Sequence, residues 1–310
     1  MTAAIQSRPR RNRRPGVWVS VGLFLLPALA LYALLVVLPI VQAAYYSLFK
    51  WNGLKPLTDF VGLANYEKAL SDPVFIGAVS HNLLVIVLSL TIQIPFALAM
   101  ALMLNRRFPG RSILRLLFFA PYVISEVITG IVFQLILLPN GLFDRGLEGA
   151  GLGGLSQGWL ADPSIVMLTM FVIISWKYFG FHMILLLAGL QGIPRELEEA
   201  AAIDGASNWQ AIRRVTLPLL GPTIRVSVFL SMIGALQLFD LIWVTTRGGP
   251  VNASNTMATY MVDWGFRRSQ LGYGSATAVI LFSAALVVAL LYQRFVMRRD
   301  IDGAITTTGG

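Results

Sequence analysis

The 310-residue sequence has no cysteine and only two histidines, His81 and His182. Disulfides, thiolate chemistry and a histidine-rich metal centre are thereby excluded, and no metal site or cofactor is expected. Charge is scarce as well: 13% of residues are charged, against about 25% in ordinary soluble domains. No G-x-x-x-x-G-K-[ST] phosphate loop occurs, so the chain is not expected to bind ATP itself. A G-x-S-x-G nucleophile elbow and an H-E-x-x-H helix are also missing, which leaves an intramembrane enzyme without a catalytic constellation.

What is abundant is apolar sequence, at 56% of residues. Six long apolar segments stand out, at about 17–47, 77–104, 112–138, 164–190, 219–245 and 273–297. Each is long enough to cross a bilayer as a helix, some with tilt. Internal prolines such as Pro27, Pro39, Pro95 and Pro121 are better tolerated in membrane bundles than in soluble helices. The fold expected is all-α and integral to the membrane, a bundle of six transmembrane helices.

The net charge of +9 is distributed between apolar runs and not along one face, which argues against nucleic acid as a partner. Five arginines between Arg8 and Arg14 precede the first apolar run. That run is too long for a cleaved signal, so it reads as an uncleaved span behind a disordered basic tail. Alternate connections carry fifteen basic residues on one side and seven on the other. The positive-inside rule then places both termini in the cytoplasm. The chain divides into a tail (1–16), a first span with its outer loop (17–76), a core (77–297) and a second tail (298–310). Outer loops show turn chemistry at Trp51-Asn52-Gly53, Gly149 to Gly154 and Gly248-Gly249-Pro250, and none is large enough for a separate domain.

Between the fourth and fifth spans lies a polar insertion, 191–218. Gly192 closes the fourth span, Pro194 suits the first position of a new helix, and Glu196, Glu198 and Glu199 complement that helix's dipole. Gly205 can take the left-handed conformation that ends it. Ser207 and Gln210 form a capping box for a second helix, which is expected to run to Leu217 and stop at Pro218. Small or apolar Leu197, Ala201 and Ile203 beside charged Glu196, Glu199 and Asp204 suit docking into a groove on another protein. An amphipathic helix lying on the bilayer is the alternative, but such helices are usually basic on their polar face.

The pattern Glu199-Ala200-Ala201, then Gly205, then Val215-x-Leu217-Pro218, resembles the coupling loop of permease subunits in binding-protein-dependent ATP-driven (ABC) importers, which implies that these residues and Asp204 serve coupling to the ATPase. Val61-Gly62-Leu63-Ala64-Asn65-Tyr66 and Thr246-x-Gly248-Gly249-Pro250, with Tyr260 and Phe266 beyond, are similar to outer segments of the sugar-uptake group, which includes maltose, lactose and glycerol-phosphate permeases. The resemblance implies a heterodimer with a second permease subunit, two ATPase subunits, an extracellular solute-binding protein and a carbohydrate substrate. It also implies that Glu199 meets a basic residue of the ATPase.

Within the spans, Glu126, Lys177 and Asp240 are costly in hydrocarbon and are expected to face the bundle interior or water. A secondary transporter or channel would also explain them, although such a protein has no ATPase to receive the polar loop. Gln237, Asp240 and Trp243 follow at three-residue steps that let them share a helix face, as do Tyr122, Glu126 and Thr129. The first set suits a sugar route, with Trp176, Tyr178 and Phe239 as further aromatic candidates. Glu126 and Lys177 fit either that route or an ion pair fixing helix packing. Reporter fusions test the topology: signals at Gly154 and Gly249 should be external and at Gly205 cytoplasmic, and an external signal at Gly205 inverts the arrangement.

Overall fold

The computed structural model describes residues 15–297, with side chains from Val21 onward. Apart from residues 15 and 16, the two basic tails lie outside the described residues. Helices follow one another as α1 (Val21–Tyr46), α2 (Ala64–Ser71), α3 (Pro73–Asn105), α4 (Arg111–Val123), α5 (Glu126–Ile136), α6 (Leu142–Gly149), α7 (Val166–Gln191), α8 (Arg195–Ile203), α9 (208–236), α10 (Asp240–Thr245), α11 (Met257–Val262) and α12 (Leu271–Met297). No β-strand occurs among the described residues.

Four of the long helices carry a wide turn with i→i+5 hydrogen bonding; that of α12, Gln293–Met297, lies at its end, and the other three are at Ala33–Val37, Ser89–Gln93 and Ile212–Thr216, each ahead of a proline. Each of these three turns ends two residues before its proline: Pro39, Pro95 and Pro218. The reason is local. A proline at position i has no N–H and its ring crowds the carbonyl at i−4, here Leu35, Thr91 and Arg214, the central residue of each wide turn. Widening the turn relieves the clash without a sharp kink. Pro218 therefore does not stop the helix that follows the capping box, as the sequence had suggested. The helix runs on through it to Leu236.

The third apolar segment departs further from expectation. Ile124 and Ser125 are extended (ψ 138° and 143°), and α4 and α5 meet there at 96°. Glu126 thus begins α5 and does not sit in mid-helix, so Tyr122, on α4, shares no helix face with Glu126 and Thr129. The fifth segment is interrupted at Gln237–Phe239, after which Asp240 opens α10. Five helical runs are long and apolar enough to cross a membrane, or six if α4 and α5 count as one broken span.

Helix α7 is the centre of the bundle, with 56% of its most apolar window buried, whereas α1 buries none and presents leucines and Phe24 outward. Between apolar helices in lipid, close approach replaces hydrophobic drive, and small residues make it possible. Ala97 and Ala101 of α3 pack on Met183, Leu186 and Leu187 of α7. Gly180 of α7 lies against the α4 backbone, where a Cβ would overlap the Phe118 carbonyl. Gly130 of α5 receives Val244 of α10, whose Cγ1 would lie 2.8 Å from an added Cβ.

The outer segment 61–66 ties down the end of α1. Asn65 Nδ2 donates to the carbonyls of Ser47 (2.8 Å) and Phe49 (3.0 Å), Tyr66 Oη pairs with Ser47 Oγ at 2.6 Å, and the amides of Val61 and Gly62 donate to Leu48 O. Asn52 Oδ1 accepts from the amides of Leu54 and Lys55, and Gly53 adopts φ +88°, a turn of the kind expected there. Asp144, on α6, accepts from Trp159 Nε1 at 2.9 Å, which holds its carboxyl below the usual range. Gly180→Ala should destabilise the fold by about 1–3 kcal/mol through overpacking, read as lost resistance to denaturant. Gly77→Ala, with open space around its Cβ, should be near neutral, and equal effects would remove the α4–α7 contact from this account.

Candidate functional site

The two interruptions face a common cavity of about 350 Å³, within the range of small-molecule sites. Its wall includes Ser89 and Gln93 from α3, Tyr122 and Glu126 from the α4–α5 bend, Tyr178, Phe181 and His182 from α7, and Ser231, Gln237, Phe239 and Asp240 from the α9–α10 break. Tyr122 and Phe181 stack with centroids 4.9 Å apart. Glu126 and Asp240 each stand in the first turn of their helices, where a carboxylate complements the backbone dipole. The Tyr178 hydroxyl donates to Glu126 Oε1. His182 Nδ1 pairs with Ser227 Oγ at 2.8 Å.

Residues expected on the sugar route separate here. Glu126, Gln237 and Asp240 line the cavity, whereas Trp243 and Lys177 are absent from its wall. Trp243 stacks on Phe239 at 5.4 Å and so backs a wall residue. Trp176 packs edge-on against Phe133. Lys177 is 2% exposed, and its ammonium donates to the carbonyls of Tyr122 (3.4 Å) and Ile124. Those carbonyls end α4, where the helix offers partial negative charge and lacks backbone donors. No Glu126–Lys177 ion pair is formed among the described residues, and Lys177 instead caps the broken helix.

Asn82 performs the matching task at the second break. Its Nδ2 donates to Ala235 O (2.6 Å) and its Oδ1 accepts from the Met257 amide (2.9 Å), while Thr256 Oγ1 donates to Leu238 O (2.7 Å). Sequence reasoning passed over Asn82, Gln93, His182 and Ser231. The signal available was a polar side chain inside an apolar run.

At the other end of the long helices, the polar insertion forms a helix-turn unit. Pro194 precedes α8 as its N-cap, one position before that expected. Gly205 has φ +82°, its amide donates to Ala202 O (3.0 Å), and Ala206 N donates to Ala201 O (2.9 Å). This double closure is a Schellman motif. Ser207 and Gln210 make both bonds of the capping box. Glu198 accepts from Thr216 Oγ1 at 2.9 Å, fastening α8 to α9. Glu199, Ala200, Asp204, Gly205 and Pro218 are exposed, and Ala201 and Leu217 half-buried. Ile203 and Trp209 project at 87% and 65% exposure. Glu199 also borders a groove with Arg106, Arg107 and Arg195.

Residues 93–300 match the family described as the inner membrane component of binding-protein-dependent transport systems. The chain belongs to this family. Similar proteins include a probable ABC transporter permease of Pyrococcus horikoshii (38% identity, covering 87% of this permease and 93% of the relative) and the lactose transport system permease protein LacF of Rhizobium radiobacter (32%, 90% and 93%). The trehalose/maltose transport system permease protein MalF of Thermococcus litoralis is 32% identical over 88% of this permease and 92% of its own length. Among solved structures, a chain of a bacterial ABC transporter that imports the acidic polysaccharide alginate superposes with a TM-score of 0.78 at 27% identity, covering 91% of this permease and 96% of that chain.

The permease's Lys177 offers a direct check. Lys177→Met leaves two carbonyls without their donor, at about 1–3 kcal/mol, and should lower thermal stability in detergent. Glu126→Gln, which keeps a hydrogen-bonding oxygen, should not. A stable Lys177→Met protein with abolished uptake would return Lys177 to the transport route.

Proposed function

We propose that this chain is the permease subunit of a carbohydrate importer, with six spans and both termini in the cytoplasm. It pairs with a second permease subunit, receives sugar from an extracellular binding protein, and is driven by two ATPase subunits docked on 191–218. Nucleotide chemistry is left to those subunits. The observation that carries this reading is the built form of the insertion. A Schellman-closed helix with an acidic, exposed face and projecting Ile203 and Trp209 presents the mixed surface that a groove on another protein takes up. The sugar class is supported by the names of several relatives, lactose and trehalose/maltose permeases among them.

Coupling follows from continuity. Because Pro218 is absorbed by a wide turn, α9 is one rod from Asn208 to Leu236, roughly 40 Å at 1.5 Å per residue. Thr216 holds α8 to its lower end, and its upper end is the break that lines the cavity. A shift of the docked loop is therefore delivered to Gln237 and Asp240. The bent α4–α5 pair counts as one span, with Arg111 and Arg115 at its cytoplasmic end.

Uptake by proteoliposomes holding the whole importer, with ATP on the ATPase side and binding protein on the other, tests the reading. Gly205→Val forces a β-branched residue into the left-handed region, at roughly 1–2 kcal/mol or more, and Glu199→Lys reverses a docking charge. Both should insert normally yet lose ATPase association and uptake. Normal ATPase capture and transport by both variants would remove 191–218 from the coupling role.

A further inference from the structure

The cavity wall is unevenly charged. Two carboxylates, Glu126 and Asp240, stand on it, and no lysine or arginine does. Lys177 is not on the wall: it sits behind Tyr178, its ammonium 5.6 Å from that ring's centroid, and donates to the Tyr122 and Ile124 carbonyls. The one histidine on the wall, His182, is engaged with Ser227. The positive end of α5, which would otherwise attract an anion, already carries its own carboxylate at Glu126.

From this we infer that this subunit's face of the cavity favours uncharged saccharides over acidic ones, a specificity that rests on the carbohydrate reading above. The chemistry of the remaining wall agrees. Carboxylates and the side-chain oxygens of Gln93, Gln237 and Ser231 accept hydrogen bonds from sugar hydroxyls. The stacked Tyr122 and Phe181 rings, with Phe239, offer faces for the apolar side of a pyranose. A uronate would bring a third carboxylate into a partly enclosed space, where like charges repel more strongly than in water. The structural neighbour imports an acidic polysaccharide, so shared fold alone does not fix this preference.

The test uses the complete importer in nanodiscs without binding protein, so that the permease's own selection is read. Methyl α-glucoside, methyl α-galactoside and methyl α-mannoside are each compared with the matching methyl uronide by saturation-transfer NMR titration. At pH 7.5, histidine is mostly neutral at its ordinary pKa. At least one neutral member should bind tenfold or more tightly than its uronide, a ratio worth about 1.4 kcal/mol. In the Glu126→Gln/Asp240→Asn double variant that ratio should fall to within about threefold, with the uronide gaining affinity. Equal binding of every pair, no neutral binding at all, or an unchanged ratio in the double variant overturns the inference. Uptake of any panel sugar by the proteoliposome system with its binding protein separates the two levels. Transport without charge discrimination sinks only the inference, whereas absence of uptake across a wide sugar set sinks the carbohydrate reading.

Discussion

Inside a bilayer, a backbone carbonyl that loses its helical partner has no water to turn to, and this constraint organises the whole permease. Each unsatisfied group costs several kcal/mol in hydrocarbon. The chain nevertheless interrupts two of its spans and threads prolines through α1, α3 and α9. It can do so because each interruption has its own donor. Lys177 serves the carbonyls at the α4–α5 bend, and Asn82 and Thr256 serve those at the α9–α10 break. The cavity exists where helices are broken, and the helices stay broken because buried side chains replace the lost backbone bonds. Lys177 and Asn82 thus hold the shape of a cavity they do not line.

The prolines show the opposite solution. Pro39, Pro95 and Pro218 sit in helices that must remain continuous, and a wide turn centred four residues earlier absorbs each ring. Where continuity carries force, as in α9, the sequence tolerates proline by local widening. Where a site is needed, the chain instead uses extended residues at Ile124–Ser125 and a reoriented Phe239. Proline content alone does not distinguish these outcomes.

The helical bundle and the 191–218 unit were legible because they rest on short-range rules. Gly205 takes the left-handed conformation, Ser207 and Gln210 close their box, and Gly192 caps α7. The breaks were not legible, since apolar runs hide them from hydropathy. One local clue was present at the first: Ser125 followed by Glu126 reads as the start of a new helix, yet lies inside a run that reads as one span. Spacing arguments then failed at the same places. Gln237, Asp240 and Trp243 were set on one face by assuming unbroken helix, whereas the interruption sends Trp243 behind Phe239. Lys177 was misjudged for a different reason: its partners are main-chain carbonyls, which no side-chain pattern records.

The exposed surfaces of the permease are of two chemical kinds, and they call for different neighbours. The exposed side chains from Val21 to Val41 are almost wholly apolar, a surface that lipid covers without cost. The α4–α5 bend differs: Val123, Ile124, Val127 and Ile128 are exposed on either side of Glu126, and exposed Gln237 and Asp240 border the same cavity. Facing lipid, each ionised carboxylate would cost on the order of 2.5–3.5 kcal/mol. Facing water throughout, the surrounding apolar rim would be wasted. A rim of aliphatic side chains around a polar hollow is instead the form of an interface that seals a wet interior. A second permease subunit, which this family pairs with, is the neighbour that such a rim would seal against.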